Sequence, residues 1–479
     1  MTTYQDLKDF FKRRDFKVIM AADAETRTLA EKNGKIVSKI PAGGVSVALD
    51  PIAKAAGATY ISRGKTDEEK KLLAGKNKMT IEDQAGTYVL KRLFLSPAEF
   101  EVYYNGFSNQ TLWPLCHVAF ENPHFHNSWY EGYKKVNEKF ARSIREEIKG
   151  KTFVWIHDYQ LALVPLFLGR SKDTTVNMFW HIPWPTWEVF RLLPQKKEIL
   201  ESLLSCDFLA FHRGYHVRNF LDTVERELEV RVDEETNSVY YNKHVTTVKN
   251  LPLGIDTDVI ESLVVRGEEK TVLFENNKVI LGVDRLDYTK GLRLRMAAID
   301  RFLEKNPRYI GNVTYVGILA PSREEIPAYK QLKKDIKELA NSINKKYGKK
   351  GWRPIHMINE IFSRSEIINF YRKADLCLVT PLDDGMNLVS KEFVIASSTS
   401  SRPGMLVLSQ FAGSAIDLTK AIIVNPYNTE EVANAIKLGL EMGTAEKKKR
   451  IKEMAETLEE RNVYAWAEDF VRSAASSAK

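Results

Sequence analysis

KVILGVDRLDYTKGL, residues 278–292, joins an unbroken apolar run to a cluster of charge. A short run with no polar alternation reads as a strand covered on both faces, the kind found in parallel sheets. Asp284, Arg285, Asp287 and Lys290 follow at its carboxyl end, and a helical pattern starts near Thr289–Gly291. Open parallel sheets bind ligands at the carboxyl ends of their strands, where helix N-termini favour anions. Arg285 can bind bidentately and Lys290 adds an ammonium, so the pair suits a diphosphate. The competing reading is an internal ion-pair network, in which Asp284 and Asp287 pair with Arg285 and Lys290 and only close the strand.

The pattern extends in both directions. Downstream, NVTYVGIL (312–319), ADLCLVTPL (374–382), MLVLSQF (405–411) and AIIVNP (421–426) read as buried strands. Between the first two lies the helical stretch 329–348, for which Ser322, Arg323, Glu324 and Glu325 suggest a capping box. Upstream, FKVIMAA (16–22), TYVLKRLFL (87–95), TFVWIHDY (152–159), TVNMFWHIP (175–183) and DFLAFH (207–212) are the strand candidates. Strands alternating with helices define an α/β class with parallel sheets. The chain has 479 residues, too many for one ordinary core. Pro252 and Gly254 break the pattern near 248–261. The expected division is 1–252, joined by a C-terminal helix 462–479, and 253–461. Two Rossmann-like domains of this size imply a cleft between them.

Polar residues recur at strand ends. His157 and Asp158 follow FVWI, and His181 follows NMFW. Asp383, Asp384, Gly385 and Asn387 follow a buried strand and precede a helix. Asp384 is an acceptor suited to sugar hydroxyls, and Glu392, one turn past Leu388, suits a ribose. A helix-capping Asp and a solvated Glu are the plain alternative. PAGG (41–44) opens a helix-like stretch but lacks the G-x-G-x-x-G dinucleotide fingerprint. Among the aromatics, Tyr104 and Trp113 stand apart because Asn105, Gly106, Ser108 and Asn109 interrupt the apolar pattern around them.

Composition narrows the classes. Lys and Arg (71) exceed Asp and Glu (63), a net charge of +8 that fits a small phosphorylated ligand. No nucleic-acid module is recognisable, and the basic run 446–461 alternates with acids at helical spacing. No apolar stretch is long enough to span a bilayer, and the N-terminal residues lack the apolar core of a signal peptide. Three scattered cysteines point to a reducing, cytoplasmic setting. His124 and His126 are read as loop residues rather than metal ligands.

Together these segments resemble the trehalose-6-phosphate synthase family of retaining glycosyltransferases, of GT-B architecture. The matching stretches are GGVSVAL (43–49), YYNGFSNQTLWP (103–114), HDYQL (157–161), HIPWP (181–185), GVDRLDYTKG (282–291), PSR (321–323), DGMNLVSKEF (384–393) and VLSQFAGSA (407–415). The resemblance implies that Arg285 and Lys290 hold the donor diphosphate. It implies that Asp384, Met386, Asn387 and Leu388 contact glucose and diphosphate, and that Glu392 holds the ribose of UDP. Asp158 and His181 match residues beside the transferred glucose and the acceptor. Tyr104, Trp113 and Arg323 match residues around glucose 6-phosphate, and Gly44 matches a loop glycine over the donor. It implies no metal and no cofactor, a nucleotide-sugar donor, a sugar-phosphate acceptor, and no nucleic-acid or membrane partner. Self-association stays open.

One departure stands out. Family members usually end their first strand in S-N-R-L-P, whose arginine helps bind the acceptor phosphate. Here Asp23 and Ala24 occupy that place, and ISRGK (61–65) replaces a W-S-G context. Arg27 and Arg63 are the candidates for the missing cation. The alternatives to glucose 6-phosphate are another phosphorylated acceptor, such as glycerol 3-phosphate or a cyclitol phosphate, or a non-catalytic regulatory subunit.

Overall fold

Each apolar run forms a strand in a computed structural model of the chain, which describes residues 1–32, 35–41, 44–73, 75–266 and 277–477. Ala42 and Gly43 of the PAGG stretch lie outside the described residues. The chain divides into two units: Met1–Leu253 with Val463–Lys479, and Gly254–Asn462.

In the first unit the strands are β1 (Lys17–Ala22), β2 (Thr28–Lys32), β3 (Lys35–Lys39), β4 (Thr59–Gly64), β5 (Lys78–Asp83) and β6 (Gly86–Phe94). They are followed by β7 (Thr152–His157), β8 (Thr174–Phe179), β9 (Phe208–Phe211), β10 (Arg231–Asp233), β11 (Ser238–Tyr241) and β12 (His244–Asn250). Ten of them form one sheet in the order β10-β11-β12-β9-β8-β7-β1-β4-β6-β5. The strands from β12 to β6 in that order are parallel, with antiparallel strands at both edges. The chain winds outward from β1 one way to β4 and β6, and the other way to β7, β8, β9 and β12. The strand order therefore reverses between β1 and β7.

In the second unit the strands are β13 (Lys278–Arg285), β14 (Val313–Ala320), β15 (Ile355–Ile358), β16 (Leu376–Val379), β17 (Met405–Ser409) and β18 (Ile422–Val424). All are parallel, in the order β15-β14-β13-β16-β17-β18. This is the doubly wound Rossmann order, and its reversal lies between β13 and β16. Its core includes Leu281, Val316, Cys377, Val379, Leu406 and Leu408 from the strands, with Phe393 and Ile395 from the helix Leu388–Ser398.

Several elements differ from the sequence expectation. β4, β5, β15 and the strands β10–β12 carry polar residues or glycine inside short runs, so periodicity did not mark them. The expected capping box at Ser322 is absent. The helix Pro327–Tyr347 starts five residues later, with Ile326 at its N-cap. Pro327 sits in the first turn, where its missing N–H costs nothing, and Arg323 has a positive φ of 49° that no helix tolerates.

Candidate active site

The second unit places charge at its order reversal. Asp287 caps the turn Tyr288–Lys290, its carboxylate accepting from the Thr289 N–H at 3.1 Å. Gly291 follows at φ 66°, and a Cβ there would lie 2.3 Å from the Thr380 carbonyl just beyond β16. Only glycine lets the two strand exits approach this closely. Across that approach the Lys290 ammonium lies 2.6 Å from Asp384 Oδ2. Asp384 also accepts from the Asn387 amide at 3.1 Å and, through Oδ1, from the Met386 N–H at 3.4 Å.

Of the expected ion-pair network only the Arg285–Asp287 contact forms, while Asp284 and Lys290 take other partners. Asp284 pairs with the fully buried Arg295, which also donates to the Thr380 hydroxyl and to the Lys290 carbonyl. Burial pushes the Asp284 carboxyl up, and Arg295 opposes it. Asp287 lies 3.3 Å from Arg323 and 3.7 Å from Arg285. Burial works to raise its carboxyl, but Arg323, Arg285 and Lys290 hold it below the usual range. Arg323 Nη1 donates to the Tyr329 hydroxyl, itself turned towards Asp287. The Arg285 side chain is 43% exposed.

The 407–415 stretch supports the Asp384 loop. A Cβ on Gly413 would stand 1.9 Å from the Gly385 carbonyl. The Gly413 and Ser414 N–H groups donate to the Asp384 and Met386 carbonyls at 2.9 and 2.6 Å. Asn387, at φ 80°, caps the helix Leu388–Ser398 by accepting from the Ser390 N–H. Further along that helix the half-buried Glu392 meets Arg364 at 3.3 Å. Burial raises the Glu392 carboxyl and Arg364 draws it back. A helix N-terminus, two cations and oriented carboxylates thus surround the reversal point, a donor set matched to a nucleoside diphosphate sugar.

The first unit has a polar pocket at its own reversal, between β1 and β7. Its wall includes Asp23, Glu25, Ser46, Arg63, Lys65, Tyr104, His157, Asp158 and Gln160. Arg63 forks onto Asp23 through Nε at 2.9 Å and Nη2 at 3.1 Å. Its guanidinium lies over the rings of Phe100 and Tyr104, at 4.6 and 5.1 Å. Lys65 lies 2.7 Å from Glu25. Arg27 is engaged elsewhere, with Asp50 and Asp83. Of the two candidate cations, Arg63 reaches the pocket and Arg27 does not line it.

Residues 15–476 match the profile of glycosyltransferase family 20. The chain belongs to that family. It is 36% identical over 419 residues to an alpha,alpha-trehalose-phosphate synthase (UDP-forming) of Pichia angusta, covering 82% of this chain and 87% of that protein. It is 36% identical over 438 residues to a trehalose-6-phosphate synthase of Citrobacter koseri, covering 90% and 91%. An E. coli structure bound with UDP-2-fluoro glucose has a TM-score of 0.85 at 32% identity, covering 96% of this chain and 98% of that one. A Burkholderia xenovorans alpha,alpha-trehalose-phosphate synthase (UDP-forming) in complex with glucose 6-phosphate has a TM-score of 0.85 at 29% identity, covering 96% and 100%. The fold is the GT-B class of family 20, with two Rossmann-like units.

The remaining expected site residues fall as follows in this family 20 chain. Asp158 has a φ of 76°, and its Oδ1 accepts from the N–H groups of Tyr159 and His181 at 3.0 and 3.1 Å. That carboxylate pins the exits of β7 and β8 together. Tyr104 is half-buried in the pocket wall. Trp113 is buried, its ring 4.0 Å from that of His117 and 5.8 Å from that of Tyr159. Gly44 is exposed at the start of the helix Gly44–Ala56. His181 is buried beside His157, with His157 Nδ1 3.2 Å from His181 Nε2. His157 Nε2 and His181 Nδ1 are both buried without a hydrogen-bond partner among the described residues. An unmatched buried polar atom costs about 1–3 kcal/mol. Burial pulls His181 down to about 3, and burial and then His181 pull His157 well below the ordinary histidine range. Both rings are neutral at pH 7. Among the described residues no group of three or more His, Cys, Asp or Glu is placed to hold a metal. Among the described residues no helix is long and apolar enough to cross a membrane.

Sequence reasoning assigned no role to Arg295, Arg364 or Lys65. Arg295 and Arg364 lie on helices whose patterning reads as ordinary surface or core, and only their carboxylate partners reveal them. Lys65 closes a strand that the polar Ser62-Arg63-Gly64 sequence disguised.

Proposed function

We propose that this chain is a retaining glucosyltransferase that moves glucose from UDP-glucose to glucose 6-phosphate, giving trehalose 6-phosphate. The observation that carries this reading is the Lys290–Asp384 contact at 2.6 Å, which joins the exits of β13 and β16 at the order reversal of the second unit. Arg285 and Lys290 take the diphosphate, with N–H groups at the start of the helix Leu388–Ser398. Asp384 and Asn387 orient the glucose, and Glu392, steadied by Arg364, accepts from the ribose. In the first unit Asp158 and Tyr104 line the pocket that takes the acceptor sugar, and Asp158 holds the His181 backbone. The acceptor hydroxyl attacks C1 on the face that UDP leaves. The C1–O bond to phosphate breaks, the new C1–O bond forms, and the hydroxyl proton passes to the departing phosphate oxygen. Catalysis is positioning plus stabilisation of the charge growing on that phosphate.

The departure at β1 is read as a relocated cation. Arg63 and Lys65 at the exit of β4 serve the acceptor phosphate. The Arg63 fork onto Asp23 uses Nε and Nη2, and Nη1 has no partner among the described residues. The three cysteines are buried free thiols, in keeping with a cytoplasmic enzyme.

The test is a matrix of nucleotide-glucose donors against glucose 6-phosphate, glucose, glycerol 3-phosphate and a cyclitol phosphate, reading released nucleotide and product configuration. Fastest release from UDP-glucose with glucose 6-phosphate, giving an α,α product, is expected. Faster turnover of another acceptor, or binding without turnover, overturns the reading. Arg63→Met and Lys65→Met lower the preference for glucose 6-phosphate over glucose by about tenfold each while UDP affinity holds. An unchanged preference removes the phosphate role of β4.

A further inference from the structure

His157 is unlike the other groups in the first unit's pocket. It lines the wall, it is fully buried, and among the described residues its side chain's only hydrogen bond goes to a second imidazole. We propose that His157 hydrogen-bonds through Nε2 to a hydroxyl of the sugar held in this pocket, and that its bond to His181 makes the two outer nitrogens of the pair opposite and interdependent in character. The proposal rests on the reading of the pocket as a sugar site.

The reasoning follows from the chemistry of two neutral rings. A neutral imidazole has one N–H and one bare nitrogen. If His181 Nε2 donates to His157 Nδ1, the second proton of the pair sits on His157 Nε2, and His181 Nδ1 is bare. If the bond runs the other way, His157 Nε2 is bare and His181 Nδ1 carries the proton. One end donates whenever the other accepts. Both outer nitrogens lack a partner among the described residues, so none of these imposes a direction. A hydroxyl at the His157 end, able to donate or accept, selects one direction and thereby sets what His181 offers at Nδ1. Asp158 Oδ1 holds the His181 backbone, which keeps the second ring in register with the first. His157 touches substrate in this scheme, and its effect on His181 is one of positioning.

Two readouts test this on the full chain. The first compares kcat/KM for glucose 6-phosphate and its single-deoxy analogues in the wild type, His157→Gln and His157→Phe. One deoxy analogue should cost the wild type about tenfold and cost neither variant anything further. The same loss for every analogue in wild type and variants overturns the sugar contact. The glutamine variant covers failure of the phenylalanine variant to fold. The second readout is the nitrogen-15 imidazole spectrum, which reports which nitrogen of His181 is protonated. That pattern should change in His157→Gln and on adding glucose 6-phosphate with UDP to the wild type. An unaltered His181 pattern in both comparisons overturns the coupling. Absence of turnover by the wild type would remove the functional reading and the sugar contact with it, while the spectrum still decides the coupling.

Discussion

Lys290 and Asp384 lie 94 positions apart in the sequence and 2.6 Å apart in the structure. Each was legible as a charged residue after an apolar run, but their pairing was not. Only the strand order, which puts β16 beside β13, brings them together. The cost of separating them falls on function. Arg285 is partly exposed, so Arg285→Ala leaves the packing intact, and Lys290→Ala removes a cation from a polar site rather than from a core. Each is expected to lower kcat by about 10²-fold or more, with thermal unfolding close to wild type. Normal rates in both variants would remove the diphosphate assignment. Arg323→Ala is expected to raise KM for the acceptor more than for the donor, and equal effects would place Arg323 in the Asp287 network only. The buried histidines give a separate prediction about stability. His216 is buried with both ring nitrogens unmatched among the described residues, and burial and then Arg213 and His117 pull it down to about 3. Below pH 6.5 the unfolded chain binds a proton at this position that the folded chain refuses. Stability therefore falls as pH drops from about 6.5 towards 3, by ~1.4 kcal/mol per pH unit for each such ring. Urea unfolding at pH 7, 6 and 5 should show a shallower pH slope in His216→Leu than in the wild type. Seven of the eight tryptophans lie in the first unit, so fluorescence follows the relevant region. Parallel slopes would mean that His216 is protonated when folded.

At the scale of elements, the segment Glu101–Leu112 is a π-helix twelve residues long. Such helices are rare and usually a single turn, which is why no pattern in YYNGFSNQ announced one. Side chains help to close its wide turns. The Asn109 and Gln110 amides donate to the carbonyls of Tyr104 and Asn105, five residues back, at 2.8 and 3.1 Å. Asn109 Oδ1 accepts from the Tyr159 hydroxyl at 2.7 Å, so one side chain ties the turn bearing Tyr104 to the exit of β7. The polar residues that set this segment apart in the sequence are therefore partly internal supports. Asn109→Ala leaves the Tyr159 hydroxyl without this acceptor and frees Tyr104 to move. It is expected to raise acceptor KM severalfold with UDP affinity unchanged, and equal loss of both affinities would count against a local role. The Asp384 loop has the complementary dependence. Gly413→Ala drives a methyl group into the Gly385 carbonyl, which displaces the loop. UDP affinity should fall while the first unit's acceptor-side substitutions keep their separate effects.

Across the whole molecule the strand order repeats. Each unit starts at its central strand and winds outward both ways, and in each the unusual polar residues gather where the order reverses. Apolar runs and strand-end charge made this legible for most strands of the two sheets together, the edge strand β18 included. Central β4 and the edge strands β5, β10 and β15 escaped notice because polar residues or glycine interrupt their short runs. The C-terminal segment completes the first unit after the chain has built the second. The helix Val463–Ser477 lays Trp466 and Phe470 against Trp155, with ring centroids 5.3 and 4.3 Å apart. Phe470 also meets Phe208, and Trp466 meets Phe179 and donates its indole N–H to the Leu251 carbonyl at 3.2 Å. The aromatic partners belong to β7, β8 and β9, and His157 and His181 lie at the ends of the first two. The last helix is thus part of the floor beneath the first unit's polar pocket. Trp466→Ala removes a large buried side chain and strands a carbonyl, for a cost of about 3–5 kcal/mol. Because the loss is confined to this floor, fluorescence-detected unfolding should move to lower denaturant, and the acceptor KM should rise at temperatures where the chain is still folded. A variant with wild-type unfolding and wild-type KM would show that the helix covers the sheet without supporting the pocket.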